Sequence, residues 1–580
     1  MGTISDKLMR IINTKEDIRK ALISKGYDVP TSVPFKEYAK MILDLPCKVD
    51  SFPDIEGIVA RYSASGLTNE QMAANPVWVD KTGNGHDLQL KNLAWAGMSG
   101  VGGYKYDFLS NDWSADVNQL SVVLSHKIVI INKRTSIQLA KLIRNELENT
   151  VNITLKITGL EANGSSFKIY DNVGSSHAQK YNKDGIYQIN YTATEGASKI
   201  YFYVPGGNMG QLENPITIEQ LPLYPGALVF DGVDDYGTCD NFPILTKEKE
   251  YTVVALRQWD QDFLNTTLTG GLLSTRNYST GEGVAFEKIE SSNKGYWNLG
   301  AGGIIDFAKS PFTWQTSKQY NNVGILKGDK NHRKPLCVGS GLSGGQQCGR
   351  FAIWELVFLD HDATEEELTK IKDYFVKTYP WLFPDQAWTV VGKTNEDEDR
   401  ATIANITGNG NDLILSNFGF AEGSGYNEQG EYAGYLVTDG VDDKITSSTF
   451  EMGNDWTVIG DWELINTGKN NNAGIVKFDS IVIYNYNPIL INIKNGRNNL
   501  IPDQNTVNAI CSDGRIYSKD WKESIYNEET ESTSKNLLTI GYSGNSYTKI
   551  AFKNLAIYPT VLSREDCIKA YNYLQTLKAK

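Results

Sequence analysis

The chain repeats itself, and the repeat constrains the fold more than any other feature. "VFDGVDDYG" at 229–237 returns as "VTDGVDDKI" at 437–445. "TGNGHDLQLKN" (82–92) returns as "TGNGNDLILSN" (407–417), and "EYTVVAL" (250–256) as "DWTVIGD" (455–461). "WELVFLDHDATEEELTKIKDYF" (354–375) returns as "KNLAIYPTVLSREDCIKAYNYL" (553–574), and the motifs keep their order. At 580 residues the chain is too long for one hydrophobic core. An ordered repeat of this length means that one packing problem is solved twice.

The offsets between copies locate an insertion. They are 325 residues at TGNG and 208 at DGVDD, then 205 and 199. Copy one therefore carries 117 extra residues between Asn92 and Asp231. Insertions are tolerated in surface loops, so this block reads as a domain placed in a loop of copy one. The expected layout is a helical head at 1–50, copy one at 51–103 and 225–380, the insert at 104–224, and copy two at 381–580, joined through "YPWLFPD".

Each copy reads as β structure. Gly (53) and Tyr (31) are abundant and Pro (17) is scarce, which suits short strands and tight turns. The Asn-Gly of TGNG and the Asp-Gly of DGVDD are hairpin dipeptides, because these residues accept positive φ. "YTVVAL" and "IVKFDSIVIYNY" (475–486) have the β-branched and aromatic bias of strands. Each copy closes with one helix. Thr364 with Glu367, and Ser563 with Asp566, form capping-box starts; Leu368, Ile371 and Phe375, and Ile568, Tyr571 and Leu574, supply the apolar faces. In the insert, "ITLKITGL", "GIYQINYTA", "KIYFYVPG" and "ITIEQLPLY" alternate with period two, which predicts a smaller antiparallel sandwich.

TGNGxDL, the [VF]xDGVDDY strand and "FAIWELVFLDHDATEEEL" together resemble the concanavalin A-like, laminin-G-type jelly-roll, over about 400 residues in two copies. Copy two departs from the pattern at Thr438 (in place of Phe) and Lys444 (in place of Tyr). The resemblance implies a mainly β protein: two concanavalin A-like sandwiches, one carrying the inserted sandwich. The insert resembles the jelly-roll modules attached to carbohydrate-active proteins, through its ITGL and ITIEQLP segments.

The head, "DKLMRIINTKEDIRKALISKGYDVP…PFKEYAKMI", resembles an N-terminal element of tail, fibre and head-decoration proteins of bacteriophages, including crAss-like gut phages. Three short amphipathic helices in so few residues make a poor independent core. Ile11, Ile18, Leu22, Tyr38 and Ile42 are therefore the candidate partner-binding residues, packing on another virion subunit or a symmetry mate.

Net charge is −13, which argues against duplex nucleic acid as a partner. No apolar run reaches the roughly 20 residues of a membrane helix, and MGTISDKLMR lacks the apolar core of a signal peptide. None of the six cysteines sits in a C-x-x-C pair; Cys337 and Cys348 are near enough for a hairpin disulfide, but free thiols are expected. The DGVDD carboxylates Asp234, Asp235, Asp442 and Asp443 are either calcium ligands or turn residues, and the turn is the simpler reading. "NEDEDR" (395–400) has consecutive acids, which would face both sides of a strand, so it reads as a loop. "GSGLSGGQQCG" (339–349) precedes a strand and reads as a hairpin loop. Trp95, Trp113, Tyr201, Tyr203, Trp297 and Trp314 are either sugar-stacking or core residues.

The expectation is a non-enzymatic structural virion protein of a tailed phage: a head fibre, capsid decoration or tail appendage. It would be attached through residues 1–46 and would bind host or mucus glycans. A homo-oligomer, trimer or dimer, is expected, with no cofactor other than calcium. The alternatives are a secreted or surface calcium-assisted lectin and a glycan depolymerase.

Overall fold

In a computed structural model the protein is mainly β, and the two copies have the same strand order. Lys15 and residues 52–579 are described, except 117–120, 133–136, 145–148, 175–177, 206–210, 244–249, 276–284, 289–293, 298–303, 307–311, 317–334, 343–344, 429–431, 466–473, 479–480, 485–489, 494–496, 501–506, 519–520, 526–535 and 544–545. The features below belong to the compact unit Ile55–Lys580.

In the first sandwich one sheet is built on the strand Arg350–Leu359. Thr252–Trp259 pairs along one edge, and Ile58–Ser63 and Leu228–Asp231 share the other. The facing sheet runs Val77–Trp78, Leu88–Lys91, Tyr236–Cys239, Leu336–Val338, Gly270–Ser274 and on through three further strands. The second sandwich repeats this. Ile550–Tyr558 takes Thr457–Leu464 on one edge and Gln386–Thr389 with Tyr435–Val437 on the other. Its facing sheet runs Thr402–Ile403, Leu413–Ser416, Lys444–Phe450, Asn536–Ile540, Gly474–Phe478 and on through three more. Even the irregularities repeat: one bulge falls between Leu256 and Arg257, and its counterpart between Asp461 and Trp462. A bulge re-aims a strand, so its recurrence at matching positions marks one backbone path used twice.

Alternating side chains fill each sandwich. Tyr62, Trp78, Phe230, Trp259, Phe351 and Phe358 belong to the first core, and Trp388, Leu413, Ile445, Trp462, Phe552 and Leu555 to the second. Both closing helices are capped. Thr364 and Glu367 form the full reciprocal capping box, and Ser563 accepts from the Asp566 amide. Leu368, Ile371 and Phe375 are buried as expected. On the second helix, Arg564–Leu574, the buried face is Cys567, Ala570, Tyr571 and Leu574, with Ile568 only half-buried.

Ten strands between Trp113 and Gln220 form two five-stranded sheets around a separate core, which includes Phe108, Trp113, Ile153, Phe167, Ile200 and Phe202. The chain enters and leaves side by side. The Leu223 amide donates to the Gly103 carbonyl and the Tyr224 amide to the Gly102 carbonyl, each at 2.8 Å. At the corresponding point of copy two, the Gly434 amide simply donates to the Asn427 carbonyl at 2.7 Å. Two neighbouring backbone positions can hold either a short loop or a whole domain.

The sandwiches are packed on each other. The joining segment is buried at Tyr379, Trp381 and Leu382. From the last helix, Tyr573 Oη donates to Gln258 Oε1 at 3.0 Å, and its ring meets Trp354 edge-on at 6.3 Å. Lys578 pairs with Asp262.

Candidate functional site

The repeated loops converge in space, and in both copies they form the same knot. DGVDD leaves the strand Leu228–Asp231 in one sheet and enters Tyr236–Cys239 in the other. Its counterpart links Tyr435–Val437 to Lys444–Phe450 in the same way. The hairpin expected from Asp-Gly is therefore corrected: the turn carries the chain across the sandwich. The physical reason is that Gly232 and Gly440, at φ 77° and 75°, need the left-handed conformation for a tight change of direction. Such a turn does not require that the strands it joins be paired. A Cβ at Gly232 would also lie 2.8 Å from Arg350 Cβ.

The aspartates hold the crossing together. Asp231 Oδ1 accepts from the Val233 amide at 2.7 Å, and Asp439 Oδ1 from the Val441 amide at the same distance. Asp235 Oδ2 reaches back to the Asp231 amide at 2.9 Å, and Asp443 Oδ2 to the Asp439 amide at 2.7 Å. From the end of the TGNG segment, Asn92 Nδ2 donates to the Asp234 carbonyl at 3.0 Å and Asn417 Nδ2 to the Asp442 carbonyl at 2.9 Å. Ser424 Oγ donates to Asp443 Oδ1 at 3.1 Å.

The TGNG loops are knotted by the same logic. They close the connections between the antiparallel pairs Val77–Trp78 with Leu88–Lys91 and Thr402–Ile403 with Leu413–Ser416. Asp80 Oδ1 accepts from the Arg61 and Thr82 amides, and Asn405 Oδ1 takes its place by accepting from the Ala387 and Thr407 amides. Asn84 and Asn409 donate to the carbonyls of Val59 and Asp385.

In each knot three carboxylates approach within 4.8 Å of one another: Asp231, Asp234 and Asp235, and Asp439, Asp442 and Asp443. Asp235 and Asp443 are buried, and Asp234 and Asp442 are exposed. Burial pushes the Asp235 carboxyl up to about 7 and that of Asp443 up to about 6; the neighbouring aspartates add to the rise, while the backbone amide and serine partners oppose it. Three oxygens of this kind are a partial shell for a hard cation, which takes six to eight. Asp231 Oδ1, Asp235 Oδ2 and their counterparts are already engaged by the backbone.

The other sequence candidates separate cleanly. Ile11, Ile18, Leu22, Tyr38 and Ile42 lie outside the described residues. Residues 395–400 form a turn-rich loop, and Ser340–Leu342 pairs with Gln346–Cys348 as a hairpin. Cys239, Cys348, Cys511 and Cys567 are buried free thiols, and Cys337 is buried as well. Trp113 is in the insert core, and Trp95 packs half-buried against the first core. Trp314 is half-buried, and the side chain of Trp297 lies outside the described residues. Tyr201 and Tyr203 are half-buried on an outer sheet face, beside Tyr170, which the sequence reading missed. Its signal was present in "FKIYD", where Tyr170 alternates out of phase with core residues Phe167 and Ile169.

No protein-family model matches the chain, and no curated protein does. Among solved structures, it is similar to Trypanosoma rangeli sialidase in complex with sialic acid at 8% identity and a TM-score of 0.25, over 78% of this chain and 83% of that one. It is also similar to the botulinum neurotoxin serotype D binding domain at 10% identity and a TM-score of 0.22, over 59% and 89% respectively. Likeness at this level transfers no site and no activity.

Proposed function

We propose that the chain is a non-enzymatic structural protein of a tailed-phage virion, a fibre, decoration or tail appendage, attached through residues 1–46 and presenting its sandwiches outward to glycans. The observation that supports this most is the packing of the two sandwiches on each other: a buried joining segment and the contacts of Tyr573 with Trp354 and Gln258 connect them. An appendage must hold its binding surfaces at a fixed distance from the particle, and stiff coupling between domains serves that purpose. The knots at DGVDD act as structural rivets of this body. Attachment as a dimer or trimer follows from the closed symmetry of such assemblies.

The test is incorporation. Particles are produced with the full chain or with residues 47–580 as the only copy. The full chain should be present in purified particles, and 47–580 should remain soluble and folded in the unassembled fraction. Normal incorporation of 47–580 would remove the attachment role of the head. One observation favours a second reading, a free calcium-assisted lectin: the grouped carboxylates of both knots. That reading requires glycan binding to be lost in excess EDTA and restored by calcium.

A further inference from the structure

One outer face of the insert is paved with tyrosine. Its sheet is ordered Gln179–Tyr181, Phe167–Asp171, Lys199–Val204, Ile137–Leu142 and Trp113–Asp116. Phe167, Ile169, Ile200 and Phe202 face the core. Strand alternation sends Lys168, Tyr170, Tyr201, Tyr203 and Gln138 to the opposite face. Tyr170 stands opposite Tyr201, and Tyr203 stands between Lys168 and Gln138 in register. The Tyr170 ring centroid is 5.2 Å from that of Tyr201 and 5.8 Å from that of Tyr203. Gln138 Nε2 donates to Tyr170 Oη at 2.9 Å, which fixes that ring.

The solvent side of an antiparallel sheet ordinarily carries polar side chains. Three adjoining rings there, with Tyr170 tilted 42° to Tyr201 and nearly perpendicular, at 83°, to Tyr203, offer ring faces, ring edges and hydroxyl groups at the low ordering cost of a two-torsion side chain. The charge of the face is equally distinctive. The chain carries a net −13, yet Lys168, Lys180 and Lys199 share this face, with Lys180 opposite Lys168. Asp116 stands in register with Gln138 on the far edge strand.

We propose that this face is a binding platform for an anionic polysaccharide, whose pyranose rings stack on Tyr170, Tyr201 and Tyr203 and whose carboxylates are met by Lys168, Lys180 and Lys199. The electron-rich ring faces attract the C–H groups of a sugar, and the tyrosine hydroxyls and Gln138 pair with its hydroxyls. Ala140 and Leu142 share this face by register, and it is the three lysines around the rings that favour an anionic chain over an apolar protein partner. The platform deepens the glycan-binding part of the proposed function, but its geometry is independent of the head.

The test uses the full chain with polygalacturonate, polysialic acid and hyaluronan as probes, dextran as the neutral comparator and a dT oligonucleotide as the polyanion without sugar acids. Binding to at least one acidic polysaccharide, weakened by salt and exceeding binding to dextran, is expected. Tyr201→Ala and Tyr203→Ala should each weaken it about three- to tenfold, with unchanged melting temperature, while Tyr201→Phe retains most of it. Lys168→Glu with Lys180→Glu should abolish the preference over dextran. Binding to none of the acidic probes, undiminished binding by the folded alanine variants, or tighter binding of the oligonucleotide would each overturn the proposal. Alanine variants that lose the polysaccharide yet enter particles leave the virion reading intact. A chain that binds through these tyrosines but is absent from particles removes the virion reading alone.

Discussion

Asp235 and Asp443 are the residues at which the repeat is chemically most exacting. Each is buried, so each resists ionisation. Their folded values, about 7 and about 6, lie above the ordinary carboxylate value of 3.8. The stabilising contribution of such a group is fully present below its unfolded value and is lost as pH rises through the folded one. Thermal melts should therefore show stability falling from about pH 4 to about pH 7, between the unfolded and folded values, and levelling off above that. Asp235→Asn with Asp443→Asn should flatten that fall, because an amide keeps an oxygen for the Asp231 and Asp439 amides without acquiring charge. An unchanged slope in the double variant would show that these carboxyls do not titrate as buried groups. Excess calcium should leave the wild-type slope in place; its abolition by calcium would instead favour a cation shell. That DGVDD is a turn was legible in the sequence, because positive φ is a local demand that glycine meets. That it crosses between sheets was not legible, because the partners that decide this, Arg350 and Lys549, are distant in sequence. The departure at Thr438 also has a local account. Phe230 stacks on Phe351 at 5.0 Å, whereas the buried Thr438 hydroxyl donates to the Thr548 carbonyl and accepts from the Ile550 amide. A ring contact is replaced by hydrogen bonds at the same point of the sheet.

The closing helices were legible in their caps and less so in their faces. Thr364 and Glu367 sit at sequence positions that define a capping box, and the box is formed. The second helix was expected to bury Ile568, but it buries Cys567 and Ala570 on its own sandwich and Tyr573 against its neighbour. A helix held from two sides has no single apolar stripe, so periodicity alone misplaces its face. The first helix also covers a buried ion pair. Arg61 Nε lies 3.2 Å from Glu355 Oε2, Tyr379 Oη donates to Glu355 Oε1 at 2.8 Å, and Arg61 Nη2 donates to Tyr374 Oη at 2.9 Å. Removing one partner strands a charge in the interior. Arg61→Ala should cost about 3–5 kcal/mol in denaturant unfolding of this sandwich, whereas Arg61→Met with Glu355→Leu should cost far less. A loss below about 1 kcal/mol for Arg61→Ala would mean that Glu355 finds water instead. Thr364→Ala, which leaves helix amides without their cap, should cost about 1 kcal/mol on the same measurement.

At the scale of the whole molecule, the offset arithmetic located the extra residues of copy one, and the adjoining amide–carbonyl pairs at Gly102–Tyr224 and Gly103–Leu223 explain how they fit. Replacing 106–222 with a short linker should leave the first sandwich folded, with native tryptophan fluorescence and a cooperative melt; collapse of that transition would make the insert part of its core. The packing of the sandwiches on each other was not legible, because Tyr573 and Trp354 meet across 219 residues of chain and neither sits in a pattern that announces an interface. Central to the functional account is that this body is a fixed part of a particle. The most direct measurement is quantitative mass spectrometry of gradient-purified virions, using the major capsid protein as the copy-number standard. This chain is expected in a constant, symmetry-compatible number of copies per particle that survives high-salt washing. Its absence from washed particles, with the protein recovered only free in the lysate, would contradict the account and leave a free glycan-binding protein in its place.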